Sequence, residues 1–204
     1  MGDDVQKPSC LVPFNPLDKR NLGQSVLNAL TTLPLKPLGQ MERFSGAGVY
    51  AIYFVGTKCL YEPLRVESSR DRPIYVGKAI PSGARKGGSF LNLDPGEALY
   101  NRLREHADSI NEVYDLNVDD FLCRYLAVDD VWIPLAESLL ITKYLPLWNV
   151  VIEGFGNHDP GKGRTNQQRS LWDTMHPGRK WAEKLRNSKL SRQEIMIRIQ
   201  NWMD

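Results

Sequence analysis

Two tyrosines stand in glycine-flanked segments, Gly48-Val49-Tyr50 and Tyr75-Val76-Gly77. Arg102 and His106 follow four residues apart, Glu137 lies in an apolar-rich stretch, and Asn149 closes the series. These types suit hydrolysis at an anionic centre. Phosphodiester hydrolysis builds negative charge on non-bridging and leaving oxygens, which an arginine and a metal ion stabilise. A guanidinium offers a phosphate two parallel hydrogen bonds. One carboxylate with several waters is the usual setting of magnesium, which keeps much of its hydration shell. A phenol is an awkward base, because its ordinary pKa is about 10. It needs a neighbouring cation or base, and His106, Lys78 or metal-linked water can supply that help. No Cys-x-x-Cys or His-x-x-x-His pair occurs, which argues against structural zinc. No paired carboxylates precede a lysine at a two-metal spacing, so one metal is expected rather than two.

The elements that must position these groups read in the order strand, strand, helix, strand, helix. Residues 1–17 carry three prolines and read as an arm. Leu22, Val26, Leu27, Leu30 and Leu33 follow helical spacing, so a helix is predicted near 19–33, stopped by Pro34 and Pro37. Strands are predicted at 49–55 and 73–77, where β-branched and aromatic residues cluster. The polar stretch 57–72 between them reads as an inserted loop, and 79–93 as a glycine-rich basic loop. Asp94-Pro95-Gly96-Glu97 predicts a helix start with Asp94 as the cap, running to about 112. Its apolar stripe is Leu99, Leu103, Ala107 and Ile110. Arg102 and His106 then share a neighbouring face, one turn apart. A third strand is predicted at 121–128 and a helix at 133–144, ended by Pro146. Beyond 150, glycines among Asn, Asp and His predict an irregular segment. Helical pieces follow from 172 to 203, broken at Pro177-Gly178 and Asn187-Ser188, with Ser191 capping the last one.

A chain of 204 residues can bury a real core. At 42% hydrophobic and 25% charged residues it has ordinary globular composition, which argues against a disordered protein. No apolar run approaches the ~18 residues of a membrane span. The opening Met1-Gly2-Asp3-Asp4 lacks the order of a signal peptide, and Cys10, Cys59 and Cys123 are odd in number and far apart. A reducing, cytoplasmic setting is therefore expected, with no membrane partner. The net charge of +2 averages unlike zones. Residues 65–104 hold eight basic and four acidic side chains, whereas 105–137 hold one and nine. Such sorting invites a polyanion on the basic side, although solvated faces would give the same counts.

Taken in order, the two tripeptides, the arginine helix, and the ending Ala136-Glu137-Ser138 through Pro146-Leu147-Trp148-Asn149 resemble the GIY-YIG nuclease superfamily. Valine replaces isoleucine in both tripeptides. The 25 residues from Tyr50 to Tyr75 exceed the family's usual short hairpin. The resemblance covers about residues 46–150. It implies an α/β fold, a short, mainly antiparallel sheet flanked by helices. An N-terminal arm and helix (1–45), the catalytic core (46–150) and a basic C-terminal extension packed on it (151–204) would make up the chain. Within the superfamily the chain looks most like type II restriction endonucleases that cut the palindrome CCGCGG as homodimers.

The resemblance further implies the roles. Tyr50 is similar to the general base toward water, and Tyr75 to the tyrosine orienting that water or the phosphate. Arg102 resembles the phosphate clamp, and His106 fits the position that helps deprotonate the tyrosine. Glu137 resembles the protein's sole metal ligand, for Mg²⁺ with Mn²⁺ able to substitute. Asn149 resembles the residue that anchors the site or touches phosphate, and Lys78 is placed to stabilise phenolate. Double-stranded DNA is the implied partner; a cognate DNA methyltransferase belongs to the host without being a stable partner. Guanines would be read by Arg85 and Lys86 in the glycine loop, or by Arg164, Asn166, Gln167, Gln168 and Arg169 beyond the core, although any of these can serve phosphate alone. Arg104 joins this DNA-contact set. Twofold symmetry of the site predicts a homodimer.

Each residue alone has a plainer reading. Strand tyrosines are commonly half-buried aromatics, Glu137 can face solvent, and Arg102 and His106 can be surface residues beside Glu105 or Asp108. His158 and His176 read as loop polar groups, and Trp172, Trp181 and Trp202 as core. The competing functions are a repair or mobile-element nuclease of the same superfamily, a non-catalytic DNA-binding module, and an unrelated α/β protein.

Overall fold

A computed structural model describes residues 15, 18–66, 72–81, 95–161 and 166–203. Arg85, Lys86, Asp94 and Arg164 lie outside the described residues. Four strands form one antiparallel sheet in the order β1-β4-β2-β3: β1 (Lys36–Pro37), β2 (Gly48–Phe54), β3 (Tyr75–Ala79) and β4 (Phe121–Ala127). Among the described residues seven α-helices accompany it: α1 (Lys19–Thr31), α2 (Ala98–Asn111), α3 (Ile133–Tyr144), α4 (Leu147–Val150), α5 (Leu171–Met175), α6 (Lys180–Glu183) and α7 (Arg192–Met203).

β2 is central and buried throughout, so its side chains alternate between two apolar layers. Tyr50, Ile52 and Phe54 face α2, through Leu99, Leu103 and Ile110, together with Trp148, Phe155, Trp172, Ile195 and Ile199 from later in the chain. Val49, Ala51 and Tyr53 face α1 and α3, through Leu30, Ile133, Ala136 and Leu140. Residues beyond 150 thus share one core with the catalytic-type strands.

Both tripeptide glycines have steric reasons. In the β2–β3 register Gly77 stands opposite Tyr50. A Cβ at Gly77 would strike the Tyr50 phenol, so glycine leaves room for that ring. A Cβ at Gly48 would strike the backbone of Leu126 and Val128, so β4 can approach only a glycine there.

β1 is not expected from the sequence, and α1, β2 and β4 differ from expectation by one or two residues at an end; three further differences have physical reasons. β3 begins at Tyr75 rather than Pro73 and runs on to Ala79, because pairing with β2 continues to Gly48 opposite Ala79. Proline can donate nothing to that ladder. α2 begins at Ala98, not near Asp94: Gly96 has φ +50, a left-handed turn that no helix start accommodates, and Glu97 makes no side-chain cap. The segment expected as a plain loop contains a 3-10 turn, Cys59–Leu64, whose Tyr61 is fully buried. At α7 the Ser191 hydroxyl accepts from the Glu194 amide at 3.3 Å, and the Glu194 carboxylate accepts from the Ser191 amide at 2.8 Å, a reciprocal cap.

Candidate active site

β3 is an edge strand, and the site is built around that edge. Tyr50 and Tyr75 lie on the α2 side of the sheet, with ring centroids 6.3 Å apart. Lys78 pairs in register with Val49 and so belongs to the α3 side, where its Nζ donates to Glu137 Oε2 at 2.6 Å. The two faces meet over the free edge, because among the described residues no strand pairs with β3 on the side away from β2. An unpaired edge is normally a liability. Here Asn149 closes it as a strand would. Its Oδ1 accepts from the Val76 amide and its Nδ2 donates to the Val76 carbonyl, both at 2.8 Å. The Asn149 amide group thus anchors β3.

On the α2 side, burial and charge set the protonation states. The Tyr50 phenol is buried and makes a 2.7 Å hydrogen bond with His106 Nε2. Burial pushes the Tyr50 pKa well above its ordinary 10; the neighbouring Tyr75 phenol and the Glu137 charge add to this, while Arg102 opposes it. Burial raises Tyr75 as well, with Arg102 lowering and Glu137 raising it. Burial, then the Arg102 charge, pushes His106 well below 6.5, so its imidazole is neutral at pH 7. Tyr50 accordingly donates, and Nε2 accepts. Arg102 is partly buried, which disfavours its charge, but the phenols and Glu105 outweigh that and raise its pKa.

Arg102 is held from three directions. NH1 donates to Glu105 Oε2 at 2.8 Å and meets His158 Nε2, and NH2 donates to the Gly156 carbonyl at 2.8 Å. The Phe155 ring stacks on His106 at 4.5 Å with 19° between planes and meets Tyr75 edge-on at 5.0 Å.

Glu137 is the acid of the site. Only its Oε2 has a hydrogen-bonded protein partner among the described residues, and its side chain is 21% exposed. No group of three His, Cys, Asp or Glu that could hold a metal occurs among the described residues. A single hard oxygen donor at a partly open position fits magnesium, which completes its shell with water, and lacks the nitrogen and sulfur donors that zinc prefers.

The structure thus brings together Tyr50, Tyr75, Arg102, His106, Lys78, Glu137 and Asn149. The remaining candidates stand apart. Arg104 is exposed on α2 with its guanidinium 5.9 Å from the Tyr100 ring centre. Asn166 accepts from Arg186 at 2.7 Å, and Arg169 donates to the Ala182 and Glu183 carbonyls, each at 3.1 Å. Gln167, Gln168 and Arg169 line a groove with Glu153, Asn157, Lys189 and Arg198.

Sequence reasoning missed the 154–158 stretch. Its signal was an aromatic between two glycines, Gly154-Phe155-Gly156, soon after Asn149. His176 also needs correcting. It is not a loop polar group but fully buried, hydrogen-bonded to the Tyr61 hydroxyl at 2.5 Å and to Asp115 Oδ1 at 3.0 Å. The tryptophan reading holds for Trp172, which is buried, while Trp181 and Trp202 are only half-buried.

A family model described as the Eco29kI GIY-YIG domain matches residues 42–203 of the chain. No curated protein matches it. No described helix is long and apolar enough to cross a membrane.

Proposed function

The chain belongs to the Eco29kI GIY-YIG family, a family of type II restriction endonucleases, and we propose that it cuts double-stranded DNA at a GC-rich palindrome such as CCGCGG. The supporting observation is convergence. Residues from β2, β3, α2 and α3 lie close enough that Arg102 and Glu137 both act on the ionisation of both phenols.

In this reading the water that attacks phosphorus gives its proton to Tyr50 Oη while Tyr50 passes its own to His106 Nε2. The 2.7 Å contact makes that transfer short, and a neutral imidazole is ready to receive it. Tyr75 orients the water or a phosphate oxygen. Arg102 clamps the scissile phosphate, exchanging its hold on Glu105 for phosphate oxygen while the Gly156 carbonyl keeps NH2 in place. Glu137 would hold Mg²⁺, or Mn²⁺ in its place; when bound, the cation supplies charge stabilisation at the phosphate. Lys78 keeps the Glu137 carboxylate turned toward the β3 edge. Asn149 holds β3 itself. A palindrome calls for a twofold assembly, one site for each strand.

The test is digestion of phage DNA by purified protein with Mg²⁺ or with EDTA. Discrete fragments that need metal are expected. A smear or nicks would assign the chain to another nuclease class, and shifted but intact DNA would make it a binding module. Glu137→Ala is expected to abolish cleavage while DNA binding persists; retained cleavage would remove Glu137 as the metal ligand.

A further inference from the structure

We propose that Arg179, in the turn before α6, is a positioning residue of the active site, fixing the 154–158 loop that holds Arg102 and covers His106. Its kinetic consequence rests on the nuclease reading above; the placement rests on geometry alone.

Arg179 is 1% exposed. A buried guanidinium persists only where its charge and donors are all met. Here Nε donates to Asp173 Oδ1 at 2.6 Å, NH1 to the carbonyls of Phe155 (3.1 Å) and Asn157 (3.2 Å), and NH2 to that of Gly154 (2.9 Å). Trp172 and Trp181 flank it, with ring centres 4.5 and 4.8 Å from the guanidinium carbon. The Ser170 hydroxyl donates to Asp173 Oδ2 at 2.6 Å and fixes that carboxylate. One planar fork therefore gathers three carbonyls from four consecutive residues, which sets the path of the loop.

That path matters because of what the loop touches. Phe155 shields His106 from water, and the Gly156 carbonyl orients Arg102. The backbone passes so near that a Cβ at Gly156 would stand 2.7 Å from Tyr75 Oη and 3.1 Å from Arg102 NH2. Among the described residues Arg179 bonds Asp173 and the loop carbonyls and none of Tyr50, Tyr75, Arg102 or Glu137, so it acts on them through the loop.

The discriminating variant is Arg179→Lys. It keeps a cation opposite Asp173 but replaces the fork with a single ammonium, which cannot span three carbonyls. On a duplex oligonucleotide kcat is expected to fall roughly tenfold to a hundredfold, with KM changed by less than about threefold. A second readout needs no catalysis: the titration of His106 followed by NMR in the metal-free protein. Tyr50 and Tyr75 from the sheet, Arg102 from its own helix, and His158 and Arg179 from the C-terminal part are the ionisable groups around it. With Phe155 loosened, water reaches the imidazole and its pKa moves up toward 6.5. A folded Arg179→Lys protein with wild-type kcat and an unmoved His106 titration would overturn the proposal. Should that variant not fold, Asp173→Asn tests the same anchor, keeping an oxygen for Arg179 Nε but removing the charge that holds it: reduced kcat and a His106 titration moved up are expected, and wild-type values of both would overturn the proposal. A wild-type protein that cuts no DNA would sink the nuclease reading, leaving the His106 titration to decide the positioning.

Discussion

Two tyrosine–histidine pairs occupy one aromatic core in different surroundings. Tyr50 bonds His106 at 2.7 Å, and Tyr61 bonds His176 at 2.5 Å. All four side chains are buried, both phenols are pushed up by burial, and both imidazoles are pushed down. What stands behind the imidazole differs. His176 Nδ1 faces Asp115, which also accepts from Lys58 Nζ at 3.0 Å. Burial works to raise the Asp115 carboxyl, but His176 and Lys58 outweigh it and hold it at about 2. His106 instead has the face of Phe155, while the charges that act on its phenol are those of Arg102 and Glu137, beside β3. A buried tyrosine–histidine pair is therefore not a site by itself. It becomes one where an anion can reach charges that act on the phenol; around Tyr61 the same chemistry welds the inserted 3-10 turn to the C-terminal part.

The largest expected difference comes from removing each hydroxyl. Tyr50→Phe should lower kcat by roughly 10²–10⁴-fold, the usual worth of a positioned acid or base, with little change in melting temperature. Tyr61→Phe should leave kcat within about twofold and cost about 1–2 kcal/mol of stability, since His176 Nε2 loses its partner inside the core. Equal kinetic losses at the two tyrosines would break the comparison.

Next in size is the third member of the structural pair. Asp115→Ala leaves the His176 Nδ1 hydrogen without its carboxylate and the Lys58 ammonium with only the residue-115 backbone carbonyl. Urea unfolding should show a loss of roughly 2–4 kcal/mol, while the folded protein keeps its kcat. A loss of cleavage without a loss of stability would move Asp115 into the catalytic set.

The same contrast explains what the sequence disclosed. The three longer strands and α2 were legible because β2, β3 and β4 are rich in β-branched and aromatic residues and Leu99, Leu103, Ala107 and Ile110 keep helical spacing, whereas the two-residue β1, Lys36–Pro37, was not. The residues that gather at the β3 edge were legible as a group because most of them sit on those regular elements, where spacing fixes direction. The Tyr61–His176–Asp115 cluster was not. Its members are 115 and 61 residues apart in sequence for the two contacts to His176, and they stand in a 3-10 turn, at a helix end and in a loop. No periodicity reports on contacts of that kind. Arg179 was hidden for the same reason: a buried arginine is recognised by the carbonyls around it, and those belong to an irregular loop.

pH separates the pairs in stability. Both histidines stay neutral when folded below the 6.5 of the unfolded chain, so as pH falls through that value the unfolded state takes up protons that the folded state refuses. Stability should fall by about 1.4 kcal/mol per pH unit for each histidine until its folded pKa is reached. Asp115 contributes nothing in this window, because its stabilisation is lost only as pH falls from the ordinary carboxylate range toward about 2. Asp115 draws the His176 pKa part of the way back, whereas His106 has no carboxylate bonded to it. His106→Gln should therefore flatten the acid slope between pH 6.5 and 5 more than His176→Gln does. Denaturant melts of both variants across that range measure it, and equal slopes would mean that Asp115 gives His176 no protection.

The smallest effect is at the rim of the structural cluster. Arg192 approaches Asp115 Oδ2 at 3.4 Å, but its side chain is 55% exposed, and Lys58 already answers the carboxylate at shorter range. An exposed ion pair of this length contributes about 0–0.5 kcal/mol, because water screens it and ordering a long side chain offsets the attraction. Arg192→Ala should therefore leave stability within that margin at ordinary salt, and kcat unchanged. A loss above about 1 kcal/mol that vanishes at high salt would show that the Asp115 charge depends on its outer partner as well as its inner one. The second pair would then be held by surface electrostatics rather than by its buried hydrogen bonds, and would differ from Tyr50–His106 in that respect too.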